Sequence, residues 1–501
     1  MSKRIISIIM IFSILLFAGV VSAEEVLRVA QVADISTLDP HKANDIYSAN
    51  LMKQIYNNLV KINENMEVQG DLAESWENPD KTTWIFHLRE GVMFHNGEEF
   101  TAQDAKFTIE RLLDPETGAP GAWLLKEVSS IEVMDKYTLK VITKKAFAPL
   151  LSNLARYELS MLNEKAVKEA GEDYAKNPVG TGPFVFEEHY YGDKVIITKF
   201  DDYFEGPAGV DKVIYRAIPE DATRVVEMES GGLDIIYNLP PQELERLSNN
   251  DDLKIIEALG QSTLYMGFNA EVKPFDNKKV RQALNYAVDK TAIIDAIFFG
   301  KAEPSYGPLS PSIWGFDKSL SHAYPYNPQK AKELLAEAGY PDGFQCVMWT
   351  DPRTERKSVT ELIQAYLSEI GIMAEIQIME WSTFIPATSK GADGMFVLGW
   401  TGTGDADGGL YARFHSENIG SSNRHHWGTP ELDKMLEEGR TTVNVEERKE
   451  VYNEIQSYIV EQAPDIFVAI AKTLGASTKD IEGFTLYPNN INPLYNVKKV
   501  N

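Results

Sequence analysis

The stretch 70–115 constrains the fold more than any other part of the sequence. Trp84, Phe86 and Leu88 alternate with polar residues, which is the pattern of a half-buried strand. The dipeptide Asn96-Gly97 then lies between two apolar segments, and this dipeptide accepts the positive φ angles of a tight hairpin turn. The stretch therefore predicts a β-hairpin with one apolar face.

A capped helix is predicted to follow the hairpin. Thr101 precedes apolar residues at helical spacing, namely Ala102, Ala105, Ile109 and Leu112. Asp104 lies three residues after Thr101, where an acidic side chain can pair with the exposed amides of the first turn. Asp114-Pro115 ends the helical pattern.

The same stretch carries a family resemblance. Residues of distinct chemistry occur at a characteristic spacing between positions 72 and 111: Trp76, Trp84, Phe86, Leu88, Arg89, Phe94, Gly97, Thr101, Ala102, Asp104 and Phe107. This set resembles the signature of the family 5 extracellular solute-binding proteins of ABC importers, which include dipeptide-, oligopeptide- and nickel-binding members. The resemblance implies an α/β periplasmic-binding-protein fold of type II, in the large three-domain subclass, with two lobes closing over a central cleft.

The resemblance also implies how the chain is divided. A chain of 501 residues exceeds what one hydrophobic core usually holds. The implied regions are a signal peptide (1–23), a discontinuous domain I (24–49, 178–270 and 476–501), an extra domain II packed on that lobe (50–177), and domain III as the second lobe (271–475). The turn-rich segment 177–184 is interpreted as a crossing between domains.

The N-terminus has the pattern of a secretory leader. Lys3 and Arg4 precede an apolar run over 5–21, and Val21-Ser22-Ala23 supplies small residues for cleavage. Retention of this run as a membrane anchor is the alternative. The only cysteine, Cys346, lies far from the leader, which excludes a lipid anchor there and intramolecular disulfides. We therefore expect a periplasmic protein that is not a lipoprotein.

The charge of the chain excludes one class of partner. The formal net charge is −25, and the acidic residues are scattered along the chain rather than collected in one tail. Nucleic acids are bound through clustered Lys and Arg, so a nucleic-acid partner is not expected.

Three segments after the leader have simple patterns. Residues 46–60 and 276–300 show helical spacing, and each predicts one helix. Residues 131–143 alternate between apolar and polar side chains and predict one strand.

A β-α-β unit is predicted over 344–379, with parallel strands and a right-handed crossover. A further apolar strand over 395–400 leads into a Gly-rich loop, 401–409. Because ligands bind beyond the carboxyl ends of strands in open parallel sheets, this loop is a candidate binding site.

Asp405 is the first candidate ligand residue. In peptide-binding members of the resembled family, an aspartate after a Gly-Trp pair receives the ligand α-ammonium, and Asp405 matches it behind Gly399-Trp400. A buried ammonium needs a paired carboxylate, because an isolated buried charge is costly. Asp407 is the alternative acceptor, and closure of a Gly-rich turn by either aspartate is a third interpretation.

Arginines are candidates for the ligand carboxylate, since the guanidinium fork suits that planar group. The resembled dipeptide binders have an arginine in the loop before the helix at Ser358, where Arg353 and Arg356 lie here at a shifted spacing. Arg413 is a further candidate. For all three, a surface position without a ligand role is the alternative.

The remaining candidates are aromatic side chains and histidines. Thr401 and four aromatic residues, Trp400, Trp427, Trp381 and Tyr265, are candidates to line a pocket, although such aromatics commonly belong to a core. His425-His426 and His415 lack the spacing of a dedicated metal site, so no metal and no cofactor are expected.

The predicted function is capture of a short peptide and its delivery to the permease subunits of an ABC importer by a monomer. The first alternative is a binding protein of the same fold that captures another solute, for example a nickel chelate, an oligosaccharide or an opine-like compound. A secreted hydrolase using Asp405 and Asp407 is the second. The motifs G-x-S-x-G, H-E-x-x-H, G-x-x-x-x-G-K and C-x-x-C are absent, and a binding protein without catalytic activity explains that absence.

N-terminal sequencing of the exported protein tests the leader. We expect the mature chain to begin at Glu24, because the small residues at 21–23 suit signal peptidase. Recovery of chains that still carry Met1 in the membrane fraction would instead support a retained anchor.

Overall fold

A computed structural model describes residues 24–500, so the predicted signal peptide lies outside the described residues. The strands are β1 (Val26–Gln31), β2 (Val60–Ile62), β3 (Val68–Gly70), β4 (Ala73–Asp80), β5 (Thr83–Leu88), β6 (Val128–Asp135), β7 (Thr138–Thr143), β8 (Phe184–Tyr190), β9 (Lys194–Lys199), β10 (Lys212–Ala217), β11 (Ile235–Tyr237), β12 (Leu253–Phe268), β13 (Ala302–Pro304), β14 (Gln345–Thr350), β15 (Met373–Ile378), β16 (Met395–Trp400), β17 (Asp465–Thr478), β18 (Ile481–Glu482) and β19 (Lys498–Lys499).

The α-helices lie between these strands, singly or in runs of two or three. They are α1 (Ile46–Ile55), α2 (Ala102–Leu113), α3 (Leu150–Leu154), α4 (Glu164–Ala170), α5 (Asp221–Glu229), α6 (Leu244–Ser248), α7 (Lys278–Tyr286), α8 (Lys290–Phe298), α9 (Pro328–Glu337), α10 (Thr354–Glu369), α11 (Trp381–Lys390), α12 (Ala406–Phe414), α13 (Pro430–Thr441) and α14 (Val445–Gln462).

One mixed sheet extends through both lobes. Its strand order is β15-β14-β16-β12-β17-β11-β1-β10-β9-β8, with β13 added beside β17. β14 and β15 are parallel and are joined by α10, which confirms the predicted β-α-β unit. β1 is parallel to β10 and β11, whereas β12 is antiparallel to β16 and β17. The α/β periplasmic-binding-protein fold of type II is thus present.

β12 and β17 are the long strands that join the two halves of the sheet. The first part of β12 pairs with residues 472–478 of β17, and the last part pairs with residues 465–470 and with β16. Between these parts the register shifts, from Leu259 to Thr263. The domain boundaries predicted at 270 and 475 stay predictions. The irregularity precedes the first boundary on β12 and the second on β17.

Separate groups of buried apolar residues lie on either side of this irregularity. The group in the first lobe includes Leu27, Val29, Val213 and Ile235. The group within 50–177 includes Phe86, Phe94, Phe100 and Ile109. The largest group in the second lobe includes Val280, Leu284, Ile363 and Val397. Each region therefore buries apolar surface of its own.

The predicted capped helix is confirmed as α2. The backbone N–H of Thr101 donates to a carboxylate oxygen of Asp104 at 3.0 Å, and the two residues form a capping box. The helix ends before Asp114, as expected. α2 packs on the antiparallel sheet β4-β5-β7-β6.

The hairpin predicted around Asn96-Gly97 is present in a short form, in which the N–H of Phe94 donates to the carbonyl of Glu98 at 2.7 Å and the N–H of Phe100 donates to the carbonyl of Val92 at 2.8 Å. β5 pairs with β4 and β7, which occupy both of its edges, so no edge is left for the segment after Gly91. That segment therefore pairs with itself, through the antiparallel bridge between Met93 and Glu99 and the turn at Gly97, whose φ is +80°.

Two predictions fail because an aspartate side chain bonds to a nearby backbone amide and either turns the chain or caps a new helix. Residues 131–143 form β6 and β7 rather than one strand, since Asp135 accepts a hydrogen bond from the N–H of Tyr137 and turns the chain. Residues 276–300 form α7 and α8, and Asp289 caps the second helix through the N–H of Ala292. The helix predicted over 46–60 ends earlier, at Ile55.

The crossing segment 177–184 presses against the end of α1. The N–H of Gly182 donates to the carbonyl of Ile55 at 2.8 Å. A Cβ added at Gly180 would overlap the same carbonyl, which is backbone and has no freedom to rotate away. Only glycine fits this close approach.

Substitution of Gly180 by alanine is expected to lower the free energy of unfolding by about 1–3 kcal/mol or more, because overpacking against backbone forces the chain to move. Urea unfolding followed by circular dichroism measures the loss. Gly307→Ala is the matched control, since its added Cβ would meet the Leu320 side chain at 3.4 Å, an ordinary contact. Equal losses in the two variants would contradict the close approach.

Candidate functional site

The loop between β16 and α12 borders three neighbouring cavities between the lobes. We name them by the helix that each one touches: the α1 cavity, the α14 cavity and the α12 cavity, with volumes of about 190, 590 and 370 Å³. Thr403 lines all three. Their combined size suits a small-molecule or peptide ligand, and their position matches the predicted site at 401–409.

The opposite walls of these cavities come from the first lobe. In the α1 cavity they include Lys53 of α1 and Arg156, together with Gln261 from the irregular part of β12. In the α14 cavity they include Trp76 and Trp84. The cavities are therefore enclosed by residues of both lobes.

Asp405 lies at the start of α12 and is already paired. Its side chain accepts a hydrogen bond from the N–H of Asp407 at 2.9 Å and so caps the helix. Its two carboxylate oxygens accept from the Nη1 and Nη2 of Arg448 at 2.7 Å each. Both side chains are buried, and the guanidinium of Arg448 also lies over the ring of Trp314. A ligand ammonium at Asp405 would therefore share this carboxylate with Arg448.

Asp407 has a different environment one residue into the helix. Its Oδ1 lies 3.1 Å from the Nε of Arg440, and this ionic contact lacks the geometry of a hydrogen bond. Burial raises the pKa of Asp407 to about 6, and Arg440 opposes this increase only in part. Asp407 also lines the α12 cavity. Because it lacks the hydrogen bonds that Asp405 accepts, its carboxylate is the less satisfied of these two aspartates.

The end of β16 presents Trp400 and Thr401 to the same cavity. The indole Nε1 of Trp400 donates to the carbonyl of Gly408 at 3.0 Å, which holds the ring against the loop. Trp400 and Thr401 both line the α12 cavity, and Thr401 is exposed. Gly399 lies one residue earlier and does not line any of the three cavities.

Arg353 and Arg356 lie outside these cavities. Both pair with Asp351, through Nε and Nη2 of Arg353 at 2.8 Å each and through Nη1 of Arg356 at 2.6 Å. Their guanidinium groups lie over the ring of Trp381. Neither arginine lines the three cavities described here.

Arg413 and Tyr265 belong to the interior of the second lobe. Arg413 is fully buried and donates through Nη2 to Asp465 at 2.7 Å, with its guanidinium 4.1 Å from the centre of the Tyr265 ring. His425 contacts the other oxygen of Asp465 at 2.6 Å. The three ionisable groups form a buried network whose charges are paired within the protein, although Arg413 Nε and His425 Nδ1 have no hydrogen-bond partner among residues 24–500.

Trp427 and the other histidines are also in contact with protein groups. Trp427 stacks on Tyr458, and the ring of His415 stacks on Tyr411. His426 contacts Glu271 at 3.1 Å. Within residues 24–500, no group of three or more His, Cys, Asp or Glu side chains is arranged to hold a metal ion.

Three first-lobe residues that line the α1 cavity were missed by the sequence analysis: Lys53, Arg156 and Gln261. Arg156 pairs with Glu158 through Nη2 and Nε, at 2.5 and 3.1 Å. Lys53 looks like an ordinary lysine in the last turn of α1, and Gln261 looks like a strand residue. No local motif distinguishes them.

The two lobes touch beside the cavities. The N–H of Ala148 donates to the carbonyl of Arg440 at 2.8 Å, and Lys145 lies 3.4 Å from Glu437. The guanidinium of Arg440 lies 5.4 Å from the centre of the Phe147 ring. The structure thus has the lobes in contact over the cavities.

Comparison with known proteins identifies the relatives of this chain. Residues 67–421 match the model of the bacterial extracellular solute-binding proteins, family 5 middle region. Heme-binding protein A of Haemophilus influenzae is 33% identical over 89% of this chain and 87% of its own. Glutathione-binding protein GsiB of Salmonella paratyphi A is 31% identical over 95% of this chain and 94% of its own.

A solved structure gives the same result. The periplasmic binding protein DppA of Helicobacter pylori, in complex with the peptide STSA, is 30% identical, has a TM-score of 0.77, and covers 95% of this chain and 98% of its own.

Substitution of Asp405 by alanine is expected to cost roughly 3–5 kcal/mol of folding stability, because it leaves the buried guanidinium of Arg448 without its partner. Urea unfolding measures the loss. The double variant Asp405→Ala, Arg448→Met should recover much of it, and the difference is the coupling free energy of the pair. Additive losses in the two single variants would mean that the pair contributes nothing to the fold.

Proposed function

The chain belongs to the bacterial extracellular solute-binding proteins of family 5, and we propose that the solute it captures is a short peptide. Proteins of this family are the substrate-binding components of ABC importers and are not enzymes, which removes the hydrolase alternative. Family members are periplasmic. Among residues 24–500, no helix has both the length and the apolar character needed to cross a membrane.

The observation that carries the proposal is the state of Asp407. The residue is 8% exposed and lines a cavity between the lobes, and its carboxylate accepts no hydrogen bond from residues 24–500. A buried carboxylate without hydrogen bonds is costly, whereas a ligand ammonium would supply both charge and donors. We therefore propose Asp407 as the acceptor of the peptide α-ammonium.

Asp405 remains the acceptor that the sequence favours, and that assignment is untested. Against it, both of its oxygens already accept hydrogen bonds from Arg448. We propose that Asp405 caps α12 and anchors the loop, so that Asp407 is held at the cavity wall.

Aromatic groups beside Asp407 suit a peptide side chain. Trp400 and Tyr411 line the same cavity, and the hydrogen bond to Gly408 holds the indole in place. Aromatic faces contact varied side chains without demanding one shape. Recognition through the ammonium with tolerant side-chain contacts would admit peptides of differing sequence.

Two of the named relatives support a peptide as the captured solute. DppA of Helicobacter pylori was solved with the peptide STSA, and glutathione, for which GsiB is named, is itself a tripeptide. Heme-binding protein A is named for a different solute. Delivery of the captured solute to the permease subunits of an ABC importer follows from the family, and the monomeric state of the chain stays a prediction.

Calorimetry with peptide pools tests the proposal. Di- to pentapeptides are expected to bind without being consumed, and at a hundredfold excess over the dissociation constant they should stabilise the fold by about 2.7 kcal/mol. Asp407→Asn should weaken binding of a peptide with a free amino terminus by about 30-fold to several thousandfold, because a buried charge pair typically contributes 2–5 kcal/mol on truncation.

N-acetylated peptides complete a double-mutant cycle with this variant. If the ammonium meets Asp407, acetylation should cost wild-type binding heavily and the Asp407→Asn variant little. Asp393→Asn is the matched control, since Asp393 is exposed and lies outside the three cavities. Equal acetylation penalties in wild type and in the Asp407 variant would reject Asp407, and absence of peptide binding would reject the peptide proposal as a whole.

A further inference from the structure

The α1 cavity differs in charge from the rest of the chain. Although the protein carries a formal net charge of −25, no Asp or Glu is among the described residues that line this cavity. Two cations, Lys53 and Arg156, do line it. Arg156 is neutralised by Glu158, so Lys53 supplies the uncompensated charge.

Lys53 has no partner of its own. Its Nζ makes no hydrogen bond or ion pair with residues 24–500, although Asp71, Lys61 and Glu205 lie near enough to affect it. Asp71 already accepts from the side-chain amide of Asn57 at 2.9 Å, and Lys61 pairs with Glu205 at 2.8 Å. Nearby carboxylates are thus committed elsewhere, and the half-buried ammonium of Lys53 is left without a partner of opposite charge.

Gln261 supplies a second unsatisfied donor to the same cavity. Gln261 is 4% exposed, and its Nε2 has no hydrogen-bond partner among residues 24–500. It lies in the part of β12 where the register shifts, and a Cβ added at Gly404, in the loop of the second lobe, would lie 3.5 Å from this nitrogen. A group bound here would contact both the strand crossing and the loop of the second lobe.

A structural role for Lys53 is the simpler alternative. A cation in the last turn of a helix interacts favourably with the helix dipole, typically by 0.3–1 kcal/mol. The helix dipole does not explain why Lys53 lines a cavity without acidic residues, or why that cavity also holds the unpaired amide of Gln261. The coincidence of an ammonium and a buried amide N–H, both without partners in one cavity free of acids, points to an anionic ligand group.

We propose that the α1 cavity binds a carboxylate of the captured solute, with Lys53 supplying the charge and Gln261 a hydrogen bond. The proposal rests on the proposed function for the peptide nature of the solute, but the carboxylate subsite can be tested by itself. The carboxylate is either the peptide C-terminus or an acidic side chain. With the ammonium at Asp407 in the α12 cavity, the ligand would extend along Thr401–Thr403, which lines both cavities.

The test compares wild type with Lys53→Met, which keeps the length of the side chain and removes its charge. The probes are three tripeptide pools: free C-termini without acidic residues, the same pool amidated, and an amidated pool with one Glu. We expect wild type to bind the free-acid pool or the Glu pool at least about 30-fold more tightly than the neutral amidated pool, and Lys53→Met to lose that preference. The pool that binds identifies the source of the carboxylate.

Lys81→Met is the control for loss of one positive charge, since Lys81 is exposed and remote from the cavities. It should keep the preference. The unliganded Lys53→Met protein should be at least as stable as wild type, because it loses an unpaired desolvated charge. A less stable variant that still prefers carboxylates would show that Lys53 only supports the helix and would overturn the proposal.

Proton uptake gives a second readout. Burial lowers the pKa of Lys53, and a bound carboxylate would raise it again. Calorimetry in two buffers of different ionisation enthalpy, repeated at increasing alkaline pH, should therefore detect protons taken up by wild type and fewer by Lys53→Met once the pH reaches the lowered pKa. Uptake that is identical in the two proteins would count against the subsite.

Succinate separates this proposal from the peptide proposal, because it has carboxylates and no ammonium. If no peptide pool binds but succinate raises the melting temperature of wild type and not of Lys53→Met, the peptide proposal fails and the carboxylate subsite stands. If wild type binds all three pools equally, the peptide proposal stands and the subsite is rejected. If neither succinate nor any pool binds, both are rejected.

Discussion

Backbone pairing between β12 and β17 is the constraint on which the arrangement of the lobes depends. The two strands carry one sheet through both lobes, so the lobes are tied by main-chain hydrogen bonds at their crossing. The ladder loses its register between Leu259 and Thr263. A short interruption of this kind can absorb a change in backbone angles while the strands on either side stay paired, and we infer that the hinge lies here.

Buried ion pairs decide which charges of the second lobe remain for a ligand. Each of three buried aspartates holds an arginine: Asp405 with Arg448, Asp351 with Arg356, and Asp465 with Arg413. Such pairs need their partners to avoid a large desolvation cost, so they behave as fixed parts of the fold. Asp407 is the exception, because its contact with Arg440 lacks hydrogen-bond geometry and its pKa stays raised to about 6.

Much of the fold could be predicted from the sequence because the signals were local. The unit β14–α10–β15 follows from apolar periodicity, and α2 follows from the Thr101–Asp104 capping box. Two of the errors have a common physical origin. Asp135 and Asp289 bond to nearby backbone amides and divide patterns that look continuous when only apolar spacing is considered.

The site was less predictable because pairing between distant residues is invisible in a local pattern. The loop at 401–409 follows a strand end in an open sheet and borders the cavities, and its role in binding stays a prediction. Which aspartate is free depends on Arg448 and Arg440, more than thirty residues further along the chain. Lys53 belongs to no sequence motif, and only the structure shows that its ammonium has no partner among residues 24–500.

Charge placement also bears on how closure would be driven. The polar contact between Lys145 and Glu437 across the lobes is partly exposed, and such pairs are worth little. A solute that contacts Asp407 on one lobe and Lys53 on the other can make both contacts only when the lobes are together. Its affinity for the closed form would exceed that for the open form by the free energy of the second contact, and that difference is what shifts the equilibrium between them. The protein itself then needs only a weak preference for closure, which leaves the lobes free to open when the solute is handed on.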